Sequence, residues 1–135
     1  MKKSLFVVSV MFVMMFVLSA CGGAGASTTI DVTFAEFTFT PAEFTIPAGQ
    51  EITINTVNNG AVIHEFVIMK LGETVGDDFG DEDEGNIYWE VETEPGQSGT
   101  TTFVAPTEPG EYQLVCGTEG HYVAGMIGKL TVVAP

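Results

Sequence analysis

At 135 residues the chain has room for one folded domain and a leader, and not for two domains. Its 18 acidic residues outnumber four basic ones, all lysine, and the formal charge is −14. That balance excludes nucleic-acid binding, which needs a cationic surface to neutralise phosphates.

The chain opens with Lys2 and Lys3, runs through an apolar stretch from Leu5 to Leu18, and reaches Leu18-Ser19-Ala20-Cys21. A positive start, an apolar middle and small residues at the end mark a secretory signal peptide. The last four residues resemble a bacterial lipobox, so residues 1–20 are expected to be cleaved off and Cys21 to carry lipid. An uncleaved membrane anchor is the alternative. The apolar run is short for a span of about 20 residues, and no basic stop follows it. The expected location is outside the cytoplasm, on the outer face of the cytoplasmic membrane through the lipid or in the periplasm. An acidic domain would be repelled by anionic lipid, so acyl chains and not surface charge would hold it there. Residues 21–27, rich in glycine, read as a flexible tether, and residues 28–135 as the folded domain.

Strand signals then follow one another. Ile30, Val32 and Phe34 alternate with polar residues, and Phe37, Phe39, Phe44 and Ile46 are punctuated by Pro41 and by a Pro47-Ala-Gly49 turn. Ile52 and Ile54 alternate next, and Asn58-Asn59-Gly60 predicts a tight hairpin turn. Further strands are predicted over Val62–Met69, Ile87–Val91, Thr100–Val104, Glu111–Cys116 and Ile127–Val133. No window of helical length carries a 3.6-residue apolar period. Short strands with Gly, Pro and Asn punctuation predict an all-β sandwich. Side chains alternate faces along a strand, so Val62, His64, Phe66 and Ile68 are expected to share one inward face, and Tyr112, Leu114 and Cys116 another.

The stretch from about 72 to 86 breaks this rhythm with Glu73, Asp77, Asp78 and the run Asp81 to Glu84. Asp81-x-Asp83-x-Gly85 has part of a calcium-loop spacing, but the glycine comes one place early and the closing glutamate is missing from its offset. An exposed acidic loop, usable for docking a cationic protein, is expected instead. Met69 and the remaining methionines outside the C-terminal loop read as surface or signal-peptide residues.

The chain has two histidines, His64 and His121, and, with Cys21 lipidated, one thiol, Cys116. An unpaired thiol in an exported protein asks for an explanation, and a metal supplies one. Cys116, His121 and Met126 stand five residues apart in a Gly-rich loop that can aim all three at one point, with His64 as the fourth ligand. Two imidazoles, a thiolate and a weak axial thioether form a blue copper ligand set, and the thioether favours one copper ion over zinc. No triad, phosphate loop or second group of histidines is available, so no enzyme is expected.

These segments, Val62-Ile-His64-Glu-Phe66-Val and Tyr112-Gln-Leu-Val-Cys116 through His121 to Met126, Gly128 and Leu130, resemble the cupredoxins of the plastocyanin, azurin and auracyanin group. The resemblance covers about Thr28 to Val133. It implies a Greek-key sandwich, copper on His64, Cys116 and His121 with Met126 as weak axial ligand, and one-electron shuttling by a monomer between respiratory or photosynthetic redox proteins. Two positions depart from the family pattern. Glu65 stands where Asn usually follows the first histidine and ties the ligand loops together, and Glu119 stands where Pro commonly precedes the Gly-His pair. The His-Glu-Phe-Val and Gly-His-Tyr-x-Ala-Gly-Met sequences are also similar to periplasmic cupredoxins of copper tolerance, which gives copper handling as the alternative function.

Overall fold

The computed structural model describes residues 25–135, so Cys21 and the predicted signal peptide lie outside the described residues. Two sheets face each other. One has the strand order β2-β1-β4-β7, from β1 (Thr29–Ala35), β2 (Thr38–Thr40), β4 (Glu51–Asn58) and β7 (Ser98–Val104). The other has the order β3-β9-β8-β5-β6, from β3 (Glu43–Pro47), β5 (His64–Met69), β6 (Ile87–Thr93), β8 (Gly110–Val115) and β9 (Ile127–Val133). Two pairs, β1 with β4 and β3 with β9, are parallel, and the other pairs are antiparallel. The chain changes sheet at β2–β3, β3–β4, β4–β5, β6–β7 and β7–β8, which makes the expected all-β sandwich. Among the described residues no helix is long and apolar enough to cross a membrane.

The alternating residues do what period two dictates. Ile30, Val32 and Phe34 of β1, Ile52 and Ile54 of β4, and Tyr112 and Leu114 of β8 all turn inward and are buried. Phe66 of β5 sits at their centre, with its ring edge-on to Phe39 at 5.6 Å and to Phe44 at 5.7 Å. Trp89 of β6 stacks on Phe103 of β7 at 4.4 Å and joins the two sheets where their edges meet.

Four expectations are corrected. Asn58-Asn59-Gly60 is not a hairpin turn, because β4 and β5 lie in different sheets and the segment carries the chain between them. Asn58 folds this crossover onto itself. Its amide donates to the carbonyls of Val62 at 2.9 Å and Thr93 at 2.8 Å, and its oxygen accepts the Gly60 N–H at 2.8 Å. Val62 therefore belongs to the crossover and not to the strand, and it is 44% exposed.

Met69 is fully buried and not a surface residue. The acidic segment explains this. It is not exposed throughout, because Val75 and Phe79 turn down onto Val67, Met69 and Val115 and form a second apolar cluster outside the sheet. β5 is thereby covered on both faces, although a strand in a sandwich needs covering on only one. Asp83 is buried as well, and its carboxylate accepts the Gly80 N–H at 3.0 Å within a turn that leads into a short 3-10 turn at Glu84–Asn86.

Candidate metal centre

The parallel pairing of β1 and β4 brings their C-terminal ends to one pole of the sandwich, with Phe34 opposite Asn58. His64 opens β5 at that pole, Cys116 follows β8, and the segment from Cys116 to Met126 bridges to β9. One strand start and one connecting loop thus deliver all the candidates. His64 Nδ1 lies 3.1 Å from His121 Nδ1, and Cys116 Sγ lies 3.3 Å from His121 Nδ1 and 3.9 Å from His64 Nδ1. All three side chains are buried, and among the described residues they are the group of His, Cys, Asp and Glu side chains placed to hold an ion.

Two imidazole nitrogens facing each other at 3.1 Å repel unless a proton or a cation lies between them. A triangle with sides of 3.1 to 3.9 Å suits an ion bonded to each corner at about 2.0–2.3 Å. The donors are two borderline nitrogens and one soft sulfur, so the residues fit copper. Met126 is fully buried in the same cluster as Cys116. Its N–H donates to the His121 carbonyl at 3.0 Å, and its own carbonyl accepts the Cys116 N–H at 3.1 Å.

The loop holds its shape through local bonds. Gly120 and Gly125 take φ of +77° and +97°, a region that other residues rarely enter, and they bracket the turn carrying His121. The Ala124 N–H donates to the Gly120 carbonyl at 3.1 Å, and the His121 N–H to that of Thr118 at 3.0 Å. The Thr118 hydroxyl donates to the Ile63 carbonyl at 3.1 Å and links the Cys116–His121 loop to the residue before His64. Glu65 leaves the family's usual Asn position without its amide, and Thr118 supplies a tie between the same two loops. Thr118 carried no signal of its own in the sequence. Glu65 contributes through its backbone, its N–H donating to Cys116 Sγ at 3.4 Å. Its side chain lies in a groove with Phe79, Glu84, Glu90, Glu92 and Gly117. Burial, then Glu92, Glu90 and Glu84, push its carboxyl above the usual carboxylate range.

Above the histidines lies the turn between β1 and β2. Phe37 meets His121 edge-on at 5.0 Å, and Glu36 accepts the N–H groups of Ala61 at 2.5 Å and Val62 at 3.3 Å. Those two bonds, that of Ala61 foremost, hold the Glu36 carboxyl below its usual range. Phe37 is 40% exposed, so this aromatic, read from sequence as part of a strand, serves the site and not the core. Val62 and Val123, two residues from His64 and His121 in the chain, are also exposed apolar side chains, the latter 64% exposed.

Burial lowers both histidines below the ordinary imidazole value; His121 lowers His64 further, and Glu36 pulls both back up. The sign for the metal-free protein follows. Below about pH 6.5 the unfolded chain takes up protons that the folded histidines refuse, so folding weakens as pH falls. Glu65 acts in the opposite sense just above the ordinary carboxylate range. Urea midpoints of the metal-free chain at pH 7.5 and 5.5 are expected to fall with acidification, by at most about 1.4 kcal/mol per pH unit for each histidine. His64→Leu is expected to make the dependence shallower.

A profile of the cupredoxin-like domain matches residues 8–132. Auracyanin-A of Chloroflexus aurantiacus is 32% identical, over 93% of this chain and 94% of its own. The sodium-dithionite-reduced auracyanin of Roseiflexus castenholzii, a solved structure, is 37% identical and superposes with a TM-score of 0.67 over 81% of this chain and 99% of its own. The copper-resistant cuproprotein CopI of Rubrivivax gelatinosus is 30% identical over 81% of this chain and 68% of its own.

Proposed function

This chain belongs to the cupredoxin family, and from that premise we propose that it is a membrane-anchored carrier of single electrons, holding one copper ion on His64, Cys116 and His121 with Met126 as weak axial ligand. The observation that carries this reading is the convergence of two Nδ1 atoms and one Sγ, all buried, from β5 and the β8–β9 loop. A bound copper ion supplies a reversible Cu(II)/Cu(I) couple.

The protein's own part is to keep that couple in one geometry and within reach of a partner. β5 and β8 fix His64 and Cys116 from a doubly covered sheet, and the tie from Thr118 to Ile63 keeps the two loops from parting. Burial excludes water from the sulfur, and the Glu65 N–H donates to it at 3.4 Å and helps to fix its position. Among the three side chains His121 comes nearest the surface, and the part-exposed Phe37 ring that packs on it gives a partner an apolar contact beside the imidazole. The groove lined by Glu65, Glu84, Glu90 and Glu92 beside Gly117 gives a cationic redox protein, a cytochrome or an oxidase, a second point of contact.

The lipid on Cys21 and the location outside the cytoplasm belong to this reading. They are supported by the lipobox-like sequence and by the need for an anchor that a highly acidic domain lacks.

The test is a Cu(II) titration of the chain followed by visible absorption, then stopped-flow electron exchange with a cationic c-type cytochrome at several salt concentrations. An intense thiolate-to-copper band saturating at one equivalent, and a rate that drops steeply with ionic strength, are expected. A weak, ordinary Cu(II) spectrum would overturn the copper-carrier reading. Copper handling remains the second reading, favoured by the similarity to a copper-resistant cuproprotein. It requires bound copper to pass to chelators within minutes, whereas a carrier retains it.

A further inference from the structure

The outer nitrogen of His64 presents a problem that the ligand set does not solve. With Nδ1 given to a metal ion beside His121 and Cys116, the ring would carry its proton on Nε2, the nitrogen that faces away from the centre. Among the described residues this is the buried side-chain nitrogen or oxygen without a hydrogen-bond partner. A buried polar atom left in that state is costly, and an imidazole metal ligand ordinarily donates its second N–H to an acceptor.

The nearest acceptor is the Glu36 carboxylate, whose Oε1 lies 3.6 Å from His64 Nε2. That oxygen is aimed by two backbone donors, Ala61 and Val62, so it is not a free surface group that happens to pass by. Gly60 keeps the space between the two side chains clear. A Cβ at that position would stand 2.5 Å from Glu36 Oε1 and 2.7 Å from His64 Nε2.

We propose that Glu36 is the positioning partner of His64, its carboxylate taking the Nε2–H, orienting the ring and raising the basicity of Nδ1. This inference rests on the copper reading above for its electrochemical consequence. A fixed negative charge behind one ligand favours the oxidised ion over the reduced one, so Glu36 holds the reduction potential down. The neighbouring Phe37 packs against the other histidine, so one two-residue turn addresses both rings.

Glu36→Gln keeps an acceptor for the Ala61 N–H and removes the charge. Gly60→Ala leaves Glu36 intact and wedges it away from the ring. Glu51→Gln removes an equal charge at the far end of β4. The full chain loaded with copper is read by redox titration. Glu36→Gln is expected to weaken Cu(II) binding about tenfold relative to Cu(I), which raises the potential by about 59 mV for a one-electron couple. Gly60→Ala is expected to move it in the same direction, and Glu51→Gln to leave it close to wild type. Equal potentials in the Glu36 and Glu51 variants would overturn the proposal.

The metal-free chain supplies an independent reading by proton–nitrogen NMR of the His64 Nε2–H. This signal is expected to shift and exchange faster in both the Glu36 and the Gly60 variant. A signal that neither variant moves overturns the contact itself. If the wild-type chain gives no thiolate-to-copper band, the copper reading fails, and the NMR signal alone then decides whether Glu36 partners His64.

Discussion

Replacing Cys116 with serine is expected to abolish the intense visible band of the copper-loaded chain and its reversible one-electron couple. The reason is chemical. Thiolate is the soft, electron-rich member of the set, and the two imidazoles that remain favour Cu(II) in an ordinary tetragonal field. The pocket itself should survive, since serine is slightly smaller and its oxygen still faces His121 Nδ1, which lies 3.3 Å from the native sulfur. The metal-free variant should therefore unfold within about 1 kcal/mol of wild type, while Cu(II) titration yields a weak spectrum and little gain in thermal stability. An intense band that persisted in the variant would place the copper somewhere other than on this sulfur.

The second large effect concerns the core beneath the site. Phe66→Ala is expected to cost about 3–5 kcal/mol, a large share of the roughly 5–15 kcal/mol that holds a domain of this kind together. Phe66 is fully buried, touches Phe39 and Phe44 edge-on, and stands two residues from His64 on the same inward face of β5. Its loss leaves a cavity that neighbours from both sheets would have to collapse into. Urea denaturation of the metal-free chain should show a lower midpoint at an unchanged slope. Adding Cu(II) should recover part of the loss, because an ion that binds only the folded state stabilises by mass action. Cys116→Ser should show the reverse pattern, with near-normal stability and little recovery. A Phe66→Ala midpoint within error of wild type would mean that the ring is not part of the core.

The core and two of the candidate ligands, His64 and Cys116, are legible in the sequence through period-two alternation, whereas His121 and Met126 stand out by their five-residue spacing in a Gly-rich loop. Ile30, Val32 and Phe34, or Tyr112, Leu114 and Cys116, declare their face locally, and the structure buries each of them. What stayed hidden depends on which strands become neighbours. Asn58-Asn59-Gly60 has the composition of a hairpin turn, and only the assignment of β4 and β5 to different sheets makes it a crossover. Met69 was read as a surface residue because nothing in its own strand shows that Val75 and Phe79 fold back over it. Thr118, Glu36 and Phe37 are ordinary residues by spacing and composition. They matter because the topology brings three loops to one pole, and no local pattern records that.

The direction of β1 has a further consequence. The strand starts at Thr29 and ends at Ala35 beside the turn that touches both histidines, so the chain enters the sandwich at the pole opposite the centre. Seven extended residues set these two ends roughly 20 Å apart. Under the lipid-anchored reading, the domain therefore stands on its attachment point like a lamp on a post, with the redox end uppermost. Under that reading, a redox partner would meet the domain at the end farthest from its point of attachment.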